Sequence, residues 1–292
     1  MSKKHLVFII NPKSGVDREK AIKSAIDATL DHEQYSHELV HSEYAKHGIV
    51  LAKEAAAKGA YAVVAVGGDG SVNDIANGLN GSDTALAIIP KGSGNGTART
   101  LGIPLEINAA LQVINKGNII KMDIAFANER LFISNAGVAF DALIAKKFAK
   151  SVRRGIMMYS WLVTKYMWLY KERNFDIIVD GKALKERAFI ACVCNMQQFG
   201  YNFKIAPQAD WTDGLFDVII IRRFPKILGG MLVLRAMTGT ITKSPYVTFM
   251  RAKEVSISNP VLKLMQTDGD AHECASTIHF KMKPAAQKVI VP

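Results

Sequence analysis

The chain has 292 residues, 49% of them apolar, which is long enough for two hydrophobic cores and excludes a disordered or fibrous protein. Its formal charge of +11 is not something folding requires. Such an excess points to an anionic partner: a nucleotide, an anionic lipid surface or nucleic acid.

In chain order, residues 6–10 read as a first strand. The apolar run there is too short for a secretion signal, and Asn11-Pro12-Lys13 stands where a cleavage site would fall. Residues 18–30 form an amphipathic helix with Ile22, Ala25, Ile26 and Leu30 on one side. A strand over 36–40 and a helix over 48–58 follow. Next come two strands, 60–66 and 85–90, each running into a glycine-rich loop. This βαβα order predicts a parallel sheet covered by helices on both faces. The alternation ends near Asp123.

The remainder is richer in strand signals. Residues 131–135 read as a strand, 138–149 and 155–171 as helices. Residues 175–179 and 183–194 form a hairpin around Asp180-Gly181. Strands over 215–222, 247–250, 254–258 and 261–266 follow, interrupted by a helix over 226–237. Two more strands, 277–281 and 288–291, close the chain. The expected class is therefore α/β: a three-layer nucleotide-binding domain with a parallel sheet over 1–125, then a β-sandwich-like domain over 126–292. The last residues are left open between the two. Cys192 and Cys194 share one face of a strand and read as core, and three cysteines in all suit a reducing compartment. The most apolar helix carries Lys165 and falls short of a bilayer span, so the chain reads as cytoplasmic.

The chemistry concentrates in the two loops. The first is Gly67-Gly68-Asp69-Gly70-Ser71 and the second Lys91-Gly92-Ser93-Gly94-Asn95-Gly96. Glycines at strand ends let backbone amides approach a phosphate, and a following helix adds its positive N-terminal end. Neither loop closes in Lys-Ser or Lys-Thr, so neither is a Walker loop, and the dinucleotide fingerprint fits poorly. A carboxylate among phosphates needs a cation, so Asp69 reads either as a magnesium contact or as a cap on the helix after it. Asn11, Lys13 and Ser14, after the first strand, add an amide, an ammonium and a hydroxyl at the same sheet edge. Asp268-Gly269 ends a strand in an acid-bearing turn that is ambiguous by itself.

Asn11-Pro12-Lys13-Ser14-Gly15, Gly67-Gly68-Asp69-Gly70-Ser71 and Gly92-Ser93-Gly94-Asn95, in this order, resemble the diacylglycerol kinase catalytic domain. That superfamily holds bacterial lipid kinases, sphingosine kinases and ceramide kinases, with NAD kinases as distant relatives. The likeness continues through Gly137-Val138-Ala139-Phe140-Asp141-Ala142, Asp213-Gly214-Leu215-Phe216-Asp217-Val218 and Thr267-Asp268-Gly269-Asp270. It implies ATP-dependent phosphorylation of a lipid hydroxyl. Asn11, Lys13, Ser14, Gly67, Gly68, Asp69, Gly70, Ser71, Gly92, Ser93, Gly94 and Asn95 would hold ATP. Asp69 would belong to the Mg²⁺ network, Asp213 with Leu215 to a structural Mg²⁺ site, and Asp268 would be the general base.

This sequence departs from the pattern at Gly96, where bacterial relatives usually carry an Asp, and at Asp270, where they carry a Glu. The acceptor therefore stays open between diacylglycerol and a sphingoid base or ceramide. An NAD kinase and a catalytically impaired nucleotide-binding regulator are the competing readings. No nucleic-acid recognition motif accompanies the basic charge. Residues 146–173 mix Lys and Arg with Met, Trp and Tyr, which predicts reversible docking on an anionic membrane through the basic end at Arg153 and Arg154. The oligomeric state is left open, a homodimer among the options.

Overall fold

The computed structural model describes residues 3–11, 16–152 and 155–292. The chain forms two units, one of residues 1–122 with 285–292 and one of residues 123–284.

The first unit alternates strand and helix. Its order is β1 (Lys4–Ile10), α1 (Val16–Thr29), β2 (Tyr35–His41), α2 (His47–Ala57), β3 (Ala62–Gly67), α3 (Asp69–Leu79), β4 (Ala85–Pro90), α4 (Gly96–Thr100) and α5 (Ile107–Lys116). The strands lie in the order β2-β1-β3-β4, all parallel. Every residue of β3 and β4 is buried, which demands cover on both faces of the sheet. Helices α2 and α3 cross closely because Gly78 has no side chain: a Cβ there would lie 2.7 Å from Ala52 Cβ. On α1 the predicted face is the one that packs, with Ile22 and Ile26 buried, Ala25 half-buried and Leu30 buried just past its end. Helix α5 is capped by Glu106, whose carboxylate accepts the amides of Asn108 and Ala109. Its end is tied to α1, where Asn115 Nδ2 donates to the Thr29 carbonyl at 2.7 Å.

Strand β5 (Ile119–Ala127) leads into the second unit. There follow β6 (Arg130–Phe132), β7 (Asn135–Ala139), α6 (Phe140–Ala149), α7 (Ile156–Leu169), β8 (Arg173–Val179), β9 (Lys182–Cys194), β10 (Phe216–Arg222), α8 (Gly229–Met237), β11 (Val247–Ala252), β12 (Glu254–Ser258), β13 (Leu264–Thr267), β14 (Asp270–Glu273) and β15 (Thr277–Ile290). Pairing among β7 to β14 is antiparallel throughout. The long β9 joins two sheet regions: its first half pairs with β8, its second half with β7 on one edge and β10 on the other. Side chains alternate accordingly. Ala191, Val193, Val218 and Ile220 enter one core with Phe132, Phe175 and Phe280. Cys192, Cys194, Ile219 and Ile221 enter a second core beneath α6, α7 and α8. The two thiols are buried and unbridged, as their shared face predicted.

Four expected elements differ. The strand expected over 131–135 breaks after Phe132, where the Ile133 and Ser134 amides turn to the Asp268 carboxylate, and resumes at Asn135. The helix expected from Val138 begins at Phe140, because residues 135–139 pair with β9 and β13 as a strand. The two final strands are one continuous β15, whose first half pairs with β12 and whose Val289 pairs with Leu86 of β4. The strand expected over 261–266 starts at Leu264 and ends at Thr267, and the Asp268-Gly269 turn returns the chain as β14.

Candidate active site

Strands β3 and β4 are in parallel register, with Gly67 beside Pro90, so their loops leave the sheet side by side. Lys91 N donates to Gly67 O at 2.7 Å. Beyond that point the loops touch through Gly68 and Gly92, where a Cβ on Gly68 would lie 2.9 Å from the Gly92 Cα. Glycine at these two positions is therefore a condition of the contact. Asn95 stands in the left-handed region at φ 48°. Its side chain folds back on Gly92, accepting from the amide and donating to the carbonyl, both at 2.9 Å.

Asp69 completes the junction. It is the first residue of α3, yet its carboxylate accepts the amides of Gly96 at 3.0 Å and Thr97 at 2.9 Å, at the start of α4. So Asp69 does cap a helix, but the helix is α4 rather than the one after it. Each oxygen has a second lone pair with which to meet a cation. Gly70 opens on free space at the first turn of α3. The amides of a helix's first turn have no intrahelical acceptor, so an anion can approach here. Ser71 packs its side chain against Gly67, Ser93 is exposed, and the Gly94 carbonyl accepts from Arg99 Nε at 3.1 Å.

Asn11 follows β1 and lines a cavity of about 120 Å³ with Ser42, Tyr44, Lys46, Ser71 and Asp74. This cavity lies at the carboxyl ends of β1 and β2, where open parallel sheets bind ligands. Lys46 and Asp74 form an ion pair at 2.9 Å, and the Tyr44 ring stacks on His47 at 4.2 Å. Sequence reasoning passed over Tyr44 and Lys46, which belong to no motif. Lys13 and Ser14 lie outside the described residues.

In the second unit, Asp268-Gly269 is the two-residue turn between β13 and β14. Both φ angles are positive, 48° and 86°, as a type I′ turn requires. The Asp268 carboxylate sits in a nest of three consecutive amides: Ile133 at 2.9 Å, Ser134 at 2.8 Å and Asn135 at 3.0 Å. Its own amide returns a bond to the Asn135 carbonyl at 2.8 Å. The side chain is thus fixed to backbone, as a hydrogen-bond acceptor.

Buried Gln266 supports this turn. Its Oε1 accepts from Gly269 N at 2.9 Å, and its Nε2 donates to Asn135 Oδ1 at 2.8 Å and Asp141 Oδ2 at 3.2 Å. Asp141 is itself buried, and its Oδ1 has no hydrogen-bond partner among the described residues. Burial pushes its carboxyl up to about 7, with the Gln266 bond pulling the other way. Gly137 makes room for it, since a Cβ there would collide with the Asp141 carboxylate. Asp141 belongs to a recognised motif, but only the fold reveals its tie through Gln266 to Asn135 and Gly269, beside Asp268.

Asp213, expected with Leu215 at a structural cation site, meets an amide and a guanidinium. Its Oδ1 accepts from Leu215 N at 2.9 Å, so Leu215 meets it as a donor. The positive charge comes from Arg251, whose Nη1 lies 3.5 Å from Asp213 and whose Nε lies 3.2 Å from Asp217. Arg251 Nη2 also donates to the Gln208 carbonyl at 2.7 Å. Asp217 is buried, which raises its carboxyl to about 6 against the pull of Arg251. In this arrangement a guanidinium faces both the Asp213 and the Asp217 carboxylates. No group of three His, Cys, Asp or Glu residues able to hold a metal ion occurs among the described residues.

Comparison with known proteins agrees with this architecture. The diacylglycerol kinase catalytic domain matches residues 5–127, and the YegS C-terminal NAD kinase beta sandwich-like domain matches residues 134–291. Diacylglycerol kinases of Staphylococcus aureus strains bovine RF122 / ET3-1 and MRSA252 are each 29% identical over 279 residues, covering 92% of this chain and 86% of theirs. A crystal structure of a diacylglycerol kinase from Bacillus anthracis superposes with a TM-score of 0.76 at 19% identity, covering 100% of this chain and 98% of that one. Another Bacillus anthracis structure reaches a TM-score of 0.80 at 20% identity, with the same coverage. With one matched domain following the other along nearly its whole length, the chain belongs to the diacylglycerol kinase catalytic-domain family with a YegS-type C-terminal domain.

Proposed function

We propose that this protein is an ATP-dependent lipid kinase that phosphorylates the hydroxyl of diacylglycerol or a related lipid. The observation that carries the reading is the junction of the two glycine loops, closed by Gly68 against Gly92 and by Asp69 across to Gly96 and Thr97. It has no evident use in a simple turn, and it presents a helix start with open space at Gly70 to an anion. The phosphates of ATP bind these loops. The nucleoside end occupies the cavity at Asn11, Tyr44 and Lys46. Magnesium neutralises charge on the phosphates when bound, and Asp69 is the carboxylate that would hold it.

Phosphoryl transfer passes through a loose transition state, so positioning counts for more than a strong base. The acceptor oxygen bonds to the γ-phosphorus as the bond to the β–γ bridging oxygen breaks, and the hydroxyl proton leaves to an acceptor. Asp268 is that acceptor in this reading. Three backbone amides hold its side chain in one orientation, which suits aligning a hydroxyl.

The test is γ-labelled ATP with diacylglycerol, monoacylglycerol, sphingosine, ceramide, undecaprenol and NAD offered separately. Label is expected in phosphatidic acid. Label in NAD alone, or in none of the lipids, would overturn the proposal.

A further inference from the structure

Two helices of the second unit turn large apolar side chains outward. On α7, Met157, Trp161 and Trp168 are 85%, 53% and 61% exposed. On α8 and just before it, Ile227, Leu234 and Met237 are 82%, 61% and 55% exposed. Helices that pack on a core bury residues at such spacings and turn polar ones to water. Here the inward faces are apolar as well: Leu162 of α7 and Leu232 and Ala236 of α8 enter the same core. The outward faces therefore both look away from that core.

The helices are neighbours. Gly229 opens α8 against Met167 of α7, where any Cβ would strike the thioether. Lys226 and Glu172 pair at 2.8 Å beside them, with side chains only 18% and 8% exposed, and Lys226 Nζ lies 4.1 Å over the Phe189 ring. This joint ties the end of α7 to the start of α8.

Charge selects what covers the surface. Residues 142–171 carry seven Lys and Arg and no Asp or Glu, and residues 218–253 carry seven more and again no acid. Two of these cations are taken up in ion pairs, Lys226 with Glu172 and Arg251 with Asp213 and Asp217, and the two stretches still carry a strong net positive charge. Lys165 lies 4.7 Å over the exposed Trp161 ring, putting cation and aromatic on one face. A second copy of the chain on this face would bring two cationic surfaces together. No helix among the described residues is long and apolar enough to cross a membrane. Trp, Met and Leu between Lys and Arg are what an interface-seated protein presents to anionic headgroups.

We propose that the outward faces of α7 and α8 form one platform that seats the protein on an anionic bilayer, Trp161, Trp168, Leu234 and Met237 entering the headgroup boundary. The proposal deepens the lipid-kinase reading and rests on it for its purpose, since such a substrate stays in the bilayer. Docking at the basic end, expected at Arg153 and Arg154, falls outside the described residues; the platform is an apolar surface flanked by cations.

Binding is measured without ATP, by co-sedimentation with phosphatidylglycerol/phosphatidylcholine vesicles and with phosphatidylcholine alone. Wild type should bind the anionic vesicles and release in high salt. Trp161→Ser with Trp168→Ser, and separately Leu234→Ser with Met237→Ser, should each weaken partitioning roughly tenfold or more, given the apolar area withdrawn. Melting temperature and turnover of detergent-dispersed substrate should be unchanged. Variants that bind like wild type, a wild type that ignores anionic vesicles, or a dimer dissolved by the same changes would each overturn the platform. Failure of the kinase reading shows elsewhere, as unlabelled lipid in the ATP assay, and leaves the vesicle result standing.

Discussion

Asp69 and Thr97 belong to different glycine loops, and the Asp69 carboxylate accepts the Thr97 amide at 2.9 Å. With the Gly96 amide on its other oxygen, one side chain orders both loops at once. Asp69→Asn keeps one acceptor oxygen and turns an NH₂ against the second amide. Loss of one such bond with its donor stranded costs about 1–3 kcal/mol. The expected result is a lower Tm, weaker ATP binding and a higher magnesium requirement. A variant with unchanged metal titration would restrict Asp69 to capping.

Asp268→Asn should lower turnover by roughly 10²–10⁴, the usual worth of a positioned proton acceptor, while ATP still binds. Because three amides hold this carboxylate, the variant's Tm must be measured alongside. Near-normal turnover in a folded variant would remove Asp268 from the chemistry.

Asp141 gives stability a pH dependence. Its folded carboxyl is raised by burial to about 7 from 3.8. Between those values the folded state keeps a proton that the unfolded state has lost, so stability falls as pH rises and levels off above the folded value. Asp141→Asn removes this contribution and keeps an oxygen for Gln266. Thermal melts should show the variant gaining on wild type from pH 4 to 7 and holding that gain at pH 8. Parallel profiles for the two proteins would refute it.

Arg251 supplies the positive charge at Asp213 and Asp217, so chelation with EDTA should leave the wild-type Tm unchanged. Arg251→Ala strands the buried Asp217 carboxylate. The cost should be about 1–3 kcal/mol, below that of breaking a fully buried pair because the guanidinium is 43% exposed. A wild type that melts earlier in EDTA would restore a structural cation to this turn.

Much was legible in the sequence because it is local. The glycine loops after β3 and β4, the helix faces of α1, and the Asp180-Gly181 hairpin each follow from neighbouring residues and their conformational limits. The Asp180-Gly181 turn has the positive φ angles that the pair permits, 46° and 79°. The second core could be anticipated at Cys192 and Cys194 for the same reason, since strand alternation has a period of two.

What only the tertiary structure decided are the partners of polar groups. Asp69 meets Thr97, Gln266 meets Asp141 across 125 residues, and Arg251 meets Asp213 and Asp217. Residues 135–139 became a strand because β9 and β13 lay on either side to receive their hydrogen bonds. The apolar outward faces of α7 and α8 likewise needed the fold, since a helix apolar all round does not say which side its core will take. Local sequence limits each residue's conformations, but a hydrogen-bond partner or a buried face is chosen by whatever distant segment packing brings beside it.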